Sequence, residues 1–231
     1  DVRIEFYVAI KTAEPFLPAG TVIAREQTYV HTFYKKEATA QQPATSKEEG
    51  NLVAFSGPDF KATFDKQSGL LTSYLYKKHE YILNGQGPRP FFWRAPTDND
   101  YGANLPVRLK AWKEASYQEP KAESFQVTPG SNATTVKVTY RFPQTEARWD
   151  ITYKIYASGV IKVDNRFMAE GDQAPMIPRV GLRMQLPESF TDLTYYGRGP
   201  KENYRDRRTS QFIGEYAIPV KDMYDPYDRP Q

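Results

Sequence analysis

The stretch TTVKVTYRFPQTEARWDITYKIY (residues 134–156) predicts the fold class. Apolar residues occupy alternate positions in VKVTYRF and in WDITYKIY, which is typical of antiparallel strands with one face on a core. Similar short segments fill most of the chain, and Gly, Pro, Asn or Asp separates them. Helical spacing is confined to LPVRLKAWKEASY (residues 105–117), where Pro106 suits a first helical position. The sequence therefore predicts an all-β antiparallel sandwich with one short helix.

Two strand-like segments and a polar segment precede this region. DVRIEFYVAI (residues 1–10) and TVIAREQTYV (residues 21–30) have period-two patterns. Residues 34–50 are polar and short of large apolar side chains, so they cannot bury enough surface to offset their ordering entropy. We interpret them as a linker. The chain begins inside a strand-like pattern without methionine and stops abruptly at RPQ, from which we expect a fragment of a longer protein.

The composition excludes several classes of function. Lys and Arg number 31 against 28 Asp and Glu, and a net charge of +3 is too balanced to indicate nucleic acid or an anionic membrane as a partner. The absence of cysteine excludes disulfides and thiolate chemistry but does not decide the compartment. No apolar run approaches the roughly 20 residues of a membrane-spanning helix. The 17 tyrosines suit half-buried sheet surfaces or contacts with a sugar, the natural neutral ligand.

The segment RAPTDNDYG (residues 94–102) is the main candidate site, and its residue types leave three interpretations open. Asp98, Asn99 and Asp100 suit a cation site, a sugar-binding rim or a plain solvated turn. Glycosidase chemistry needs two carboxylates about 5–10 Å apart. Asp98 and Asp100 are candidates for such a pair by residue type alone. The two histidines are too far apart in sequence to give a zinc spacing.

Three separated segments carry a resemblance to a known family. They are FKATFDKQSGLLTSY (residues 60–74), RAPTDNDYG, and the segment from YYGRGPKENYRDR to DMYDPYDRPQ (residues 195–231). In this order they resemble segments of the large multidomain β-galactosidases of glycoside hydrolase family 2. The resemblance identifies the chain with the C-terminal region of such enzymes, which is their final small chain or fifth domain and the end of the preceding domain.

The resemblance implies a domain organisation. Residues 1–33 would be the terminal strands of an immunoglobulin-like β-sandwich, residues 34–50 a linker, and residues 51–231 a galactose-mutarotase-like supersandwich that lacks its last strands. The two catalytic glutamates of the family lie in a separate upstream TIM barrel, so we expect no catalytic residue and no metal ligand in this chain. Full-length family enzymes typically use Mg with Na or K, bound elsewhere.

The resemblance also implies roles for two sets of residues. A loop that can close beside the galactose pocket, hinged near Gly102, would consist of Tyr101, Gly102, Ala103, Asn104, Leu105 and Pro106. Its base would consist of Arg94, Asp98, Asn99 and Asp100, and the carboxylates of Asp98 and Asp100 would brace it by accepting backbone N–H bonds. In GRGPKENYRDR, Gly197 and Gly199 would allow a tight turn and Pro200 would start one helical turn. The turn would run through Glu202 and Asn203, and ion pairs of Arg198, Asp206 and Arg207 would fasten it to the sheet. Tyr204 belongs to the same structural motif, and the alternative is direct contact of this segment with the sugar.

The function implied is that of an accessory and carbohydrate-binding domain of a retaining β-galactosidase, which hydrolyses terminal β-D-galactosides such as lactose. Alone, the chain is expected to be inactive. Its partners would be a β-galactoside or galactose, the upstream TIM-barrel and sandwich domains, and further copies in a homo-oligomer, with neither nucleic acid nor membrane. The location would be the cytoplasm or periplasm of a bacterium. The alternatives are a stand-alone galactose-binding module and, ranked last, a mutarotase-like epimerase, whose histidine acid would have to be His31 or His79.

Overall fold

The computed structural model describes residues 2–32, 42–171, 175–201, 203 and 208–224, and these residues form an all-β fold. All strand pairs among these residues are antiparallel, which confirms the predicted fold class. The strands are β1 (Val2–Ala9), β2 (Val22–His31), β3 (Thr45–Glu49), β4 (Leu52–Ser56), β5 (Phe60–Asp65), β6 (Leu71–Tyr76), β7 (His79–Glu80), β8 (Arg89–Phe91), β9 (Ser124–Thr128), β10 (Thr134–Phe142), β11 (Ala147–Ile155), β12 (Ile161–Ala169), β13 (Gly181–Arg183), β14 (Asp192–Gly199) and β15 (Phe212–Pro219). The α-helices are α1 (Asp98–Gly102), α2 (Leu105–Arg108) and α3 (Lys110–Tyr117).

The chain divides into two compact units. The first unit comprises Asp1–Ala38 and Asp192–Met223, and the second comprises Thr39–Thr191 and Tyr224–Gln231. The family-based assignment of residues 1–33 and 51–231 to different domains stays a prediction.

The second unit is a sandwich of two antiparallel sheets. One sheet has the order β3-β4-β5-β6-β7, and the other has the order β12-β11-β10-β9. The inward faces meet at aromatic contacts, for example Phe64 of β5 against Tyr153 of β11, whose ring centroids are 5.0 Å apart. Along β10 and β11 the alternate residues predicted from the sequence are the buried ones, including Val136, Val138 and Ile151. Burial of this apolar face is the main driving force for the sandwich.

Phe92 joins the helical segment to the four-stranded sheet. Its ring is fully buried and lies 4.8 Å, centroid to centroid, from Trp112 of α3 and 5.4 Å from Trp149 of β11. Phe142 and Phe167 complete the cluster at 5.1 and 5.9 Å. The backbone N–H of Phe92 donates to the Ser116 hydroxyl of α3 at 2.9 Å. The chain that leaves this cluster is therefore held at a defined position where the RAPTDND segment begins.

In the first unit the amide side chain of Gln27 connects the hairpin β1–β2 to the hairpin β14–β15. Gln27 donates to the Ile213 carbonyl and accepts from the Ile213 N–H, both at 2.9 Å. It therefore pairs with the backbone as a neighbouring strand would. The rings of Tyr7 and Phe212 meet edge to face at 6.2 Å. The predicted alternation in β1 does not correspond to burial among the described residues, because Val2, Ile4, Phe6 and Val8 are exposed there.

Two sequence-based predictions are wrong in part. The segment interpreted as a linker contains β3, whose five residues are all exposed and pair with β4 by backbone hydrogen bonds. An edge strand without a buried face leaves no apolar pattern in the sequence. The single helix predicted over residues 105–117 is divided at Leu109, whose φ of −107° and ψ of 19° interrupt it between α2 and α3. A further helix, α1, precedes them. The rest of the linker prediction, residues 34–41, lies outside the described residues.

No helix in the part of the chain that the structure describes is long and apolar enough to span a membrane.

Replacement of Phe92 tests the role of this buried ring. We expect Phe92→Ala to lower the free energy of unfolding by about 3–5 kcal/mol, because it removes four aromatic contacts and leaves a cavity. Tryptophan fluorescence during urea denaturation measures this, since all three tryptophans belong to the second unit. The control Phe190→Ala, at a half-exposed ring of the same unit, should cost about 1 kcal/mol. Equal costs for the two variants would contradict the central role of Phe92.

Candidate functional site

Asp98, Asn99 and Asp100 form the first turn of α1, and Thr97 caps it. The Thr97 hydroxyl accepts the Asp100 N–H at 3.3 Å, and the Asp100 carboxylate accepts the Thr97 N–H at 2.9 Å. This reciprocal capping box satisfies two N–H groups that a helix start leaves without partners. The Thr-x-x-Asp spacing in the sequence carries this signal.

Asp100 also forms an ion pair with Arg94. The Arg94 Nη2 atom donates to Asp100 Oδ1 at 2.9 Å, and Nη1 lies 2.5 Å from Oδ2. The contact is bidentate, the geometry in which a guanidinium holds a carboxylate most firmly. Asp100 is 9% exposed, so water weakens the pair little. The Asp100 carboxylate thus connects Arg94, which lies before α1, to the first turn of α1.

The electrostatics of Asp100 favour a structural role over acid catalysis. Burial raises the pKa of its carboxyl group, but the Thr97 N–H and the Arg94 guanidinium outweigh burial and hold the pKa below its ordinary value. A glycosidase acid needs a raised pKa so that it is protonated at neutral pH. The catalytic-pair interpretation of Asp98 and Asp100 therefore has no support in this geometry. The described residues bring together no group of three or more His, Asp or Glu side chains that suits a metal ion.

Most of the predicted loop Tyr101–Pro106 is helical in this structure. Tyr101 and Gly102 end α1, while Leu105 and Pro106 begin α2. Gly102 has no left-handed φ, and a Cβ atom there would meet nothing within 4 Å. The chain turns instead at Asn104, with φ 54° and ψ 30°. Asparagine tolerates this left-handed conformation better than most residues. The prediction of a hinge at Gly102 stays a prediction.

A cavity of about 260 Å³ adjoins the base of this segment. Arg94 and Asp100 line it together with Leu105 and Pro106, so four of the predicted site residues meet there. Asp98 and Asn99 are exposed, and Tyr101, Gly102, Ala103 and Asn104 do not line the cavity. Pro96, which also lines the cavity, belongs to the RAPTDNDYG segment, whereas the sequence reasoning missed Trp93, Leu109, Met176, Ile177 and Pro178. Only the apolar run before RAPTDND signalled one of them, Trp93.

The GRGPKENYRDR segment differs from its predicted turn. Gly197 and Gly199 belong to β14, where a Cβ at Gly199 would lie 2.1 Å from the Tyr195 hydroxyl, so glycine provides space for a ring there. Arg198 donates to the carbonyls of Arg208 and Gln211, both at 2.9 Å. The Asn203 amide donates to the Arg198 carbonyl at 3.3 Å. Among the predicted residues of this motif, Glu202, Tyr204, Asp206 and Arg207 lie outside the described residues, and so does the predicted DPYDRPQ end.

The fold and the site define an antiparallel β-sandwich protein with an ion-paired, capped helical segment beside a small cavity. Residues 56–231 match the family model described as β-galactosidase small chain. The chain therefore belongs to the β-galactosidase small chain family.

Curated β-galactosidases are similar over most of the chain. That of Priestia megaterium is 34% identical over 193 residues, which are 83% of this chain and 18% of the relative. That of Streptococcus thermophilus is 30% identical over 231 residues, 98% of this chain and 22% of the relative. That of Lactobacillus delbrueckii subsp. bulgaricus is 34% identical over 210 residues, 87% of this chain and 20% of the relative. The chain thus spans about a fifth of the length of these relatives.

The Arg94–Asp100 pair should make stability depend on pH. We expect Asp100→Asn to cost about 2 kcal/mol at neutral pH, because it removes the bidentate ion pair with Arg94. The lowered pKa means that the carboxylate contributes fully above the ordinary aspartate pKa of about 3.9 and loses this contribution as pH falls through the folded-state pKa. Urea denaturation at a series of pH values should show that the difference in free energy of unfolding between the unmodified chain and Asp100→Asn, the gap, becomes smaller in acid. Asp98→Asn, an exposed carboxylate of the same helix, should show a small gap. A gap for Asp100→Asn that persists unchanged in acid would be inconsistent with this role.

The left-handed conformation of Asn104 can be tested by paired substitutions. We expect Asn104→Val to lower the free energy of unfolding by about 1–2 kcal/mol, since a β-branched residue is strained there. Asn104→Gly should be neutral or slightly stabilising. Asn99→Val in the helical conformation of α1 serves as the control and should cost only a few tenths of a kcal/mol. Thermal or urea denaturation would measure all three, and equal losses for both valine variants would refute the assignment.

Proposed function

We propose that this chain is a noncatalytic accessory region of a retaining β-galactosidase of glycoside hydrolase family 2. The observation that carries the proposal is the match to the β-galactosidase small chain over residues 56–231, in a chain that spans about a fifth of its β-galactosidase relatives. The whole enzyme would hydrolyse terminal β-D-galactosides such as lactose. Its sandwich would be of the galactose-mutarotase-like type, preceded by the last strands of an immunoglobulin-like domain.

The role proposed for the helical segment is to shape the rim of the galactose site. The segment from Tyr101 to Pro106 would face the sugar and close over it. Two features support this: Tyr101 is 64% exposed at the end of α1, and the base of α1 is fixed by the Arg94–Asp100 pair and the buried ring of Phe92. A rigid base with an exposed aromatic tip is suited to contact with a sugar face.

The chemistry itself is assigned to other parts of the enzyme. Two glutamates, an acid/base and a nucleophile, would lie in an upstream TIM barrel, and Mg with Na or K would bind outside this chain. The lowered pKa of Asp100 supports this division, because the most constrained carboxylate of the candidate site is held ionised. Partners would be a galactoside, the upstream domains and further copies of the enzyme, without nucleic acid or membrane. The bacterial cytoplasm and periplasm are both compatible with this proposal.

Isothermal titration of the chain with galactose and lactose, beside hydrolysis of a chromogenic β-galactoside, tests the proposal. We expect neither binding nor turnover, because the upstream barrel would complete the sugar site. Saturable galactose binding without turnover would favour a stand-alone binding module. Turnover by this chain would overturn the noncatalytic assignment.

The loop role is tested by Gly102→Ala in a polypeptide that carries this chain together with the catalytic barrel. Alanine fits the structure here, so stability should stay within about 0.5 kcal/mol while KM and kcat both change, because the closing motion loses its flexible residue. The control is Gly214→Ala, where a Cβ would make ordinary contact at 3.6 Å with Tyr216. Unchanged kinetics for Gly102→Ala would remove the loop assignment.

A further inference from the structure

Two arginines face each other on the short sheet formed by β8 and β13. Arg89 and Arg183 are directly paired in the register of these antiparallel strands. Like charges at opposite positions of a strand pair destabilise it. No carboxylate of the described residues forms an ion pair with either guanidinium. The pair therefore concentrates positive charge that the described part of the chain does not neutralise by direct contact.

Arg89 is held in place by neutral acceptors. It is 8% exposed, and it donates to the carbonyls of Ser116 and Gln118 at 2.8 Å each and to the Gln86 side chain at 3.2 Å. A guanidinium has five N–H donors, so these three hydrogen bonds leave about two donors for another acceptor. Burial lowers the pKa of Arg89, the Glu119 carboxylate raises it and Arg183 lowers it. The group nevertheless stays charged at any physiological pH.

Arg183 is positioned by aromatic rings. Its guanidinium carbon lies 5.3 Å from the centroid of Phe91 and 5.7 Å from that of Tyr117, and these two rings meet edge to face at 5.4 Å. Such cation–π contacts hold the guanidinium in position and leave its N–H donors available for hydrogen bonds. Arg183 is thus also positioned before any ligand binds, and its N–H groups remain able to bind an anion.

Both arginines line one cavity of about 430 Å³. The volume lies in the range of about 300–1,000 Å³ that is typical of small-molecule sites. Amide side chains of Asn84, Gln86 and Gln185 line it as well, and Glu119 is the single lining carboxylate among the described residues. Two positive charges against one negative charge leave the lining with a net charge of +1. The amides can bond hydroxyl groups, while the arginines favour an oxyanion.

We propose that this cavity is a binding site for a small molecule that carries a carboxylate or phosphate group, with Arg89 and Arg183 as the anion-binding residues. The amide-lined remainder would hold the polar body of the ligand. An oxyanion between the two guanidiniums would also relieve their mutual repulsion, so binding should stabilise the sheet of β8 and β13. The proposal rests on the second unit alone and is independent of the role proposed for the chain in a β-galactosidase.

The test is isothermal titration of the full chain with galacturonate, inorganic phosphate and galactose at fixed ionic strength. Galacturonate and galactose share most of their structure, so the comparison isolates the carboxylate. We expect galacturonate or phosphate to bind, and galactose to bind at least about tenfold more weakly. Binding of phosphate alone would identify the free ion as the ligand, and tighter binding of galacturonate would show that the sugar ring contributes. Each of these outcomes supports an oxyanion site.

Arg183→Gln is the decisive variant, because Arg183 is exposed and its replacement should leave the fold intact, whereas buried Arg89 holds α3 to β8. We expect Arg183→Gln to weaken anion binding at least about tenfold. Arg179→Gln changes the net charge equally but lies outside the lining, so it should bind as the unmodified chain does. The proposal is overturned if none of the anions binds, if galactose binds as well as galacturonate, or if both arginine variants behave alike.

Discussion

The burial of Phe92 is the contact on which the candidate site depends. Its ring packs between α3 and the four-stranded sheet, against Trp112, Phe142, Trp149 and Phe167. The chain leaves this ring directly into RAPTDND, so the position of the ring decides where α1 can start. A fully buried aromatic side chain is costly to move, because its neighbours fill the surrounding space. The start of the RAPTDND segment is therefore held in position by the packing of the sandwich.

Polar interactions then determine the course of the chain beyond the aromatic cluster. Asp100 accepts from the Thr97 N–H and from Arg94, so one carboxylate closes a helix cap and an ion pair at once. Because the side chain is largely shielded from water, these bonds strengthen one another and favour a single arrangement. The left-handed Asn104 redirects the chain into α2.

The arginines of the second unit have two different kinds of partner. Arg94 is neutralised by a bidentate carboxylate, and Arg141 contacts both Glu123 and Glu170. Arg89 and Arg183 are instead held by carbonyls and rings beside a polar cavity. An ion pair braces a structure, whereas a positioned guanidinium without a paired carboxylate keeps its capacity to bind an anion. This contrast separates arginines that a carboxylate neutralises within the fold from the two arginines that we propose as anion-binding residues.

The sequence alone predicted the sandwich and the strands β10 and β11, because alternating burial in these strands leaves a period-two pattern in residues 134–156. It also indicated RAPTDND as a site and, through separated motifs, the family. It could not reveal β3, which pairs by backbone alone, or the break at Leu109. The cavity linings and the facing arginines could be seen only in the tertiary structure, since residues 176–178 and β13 come together there with β8, α1 and α3, which lie much earlier in the chain. Local patterns record which face of an element is buried, but they do not record which elements meet.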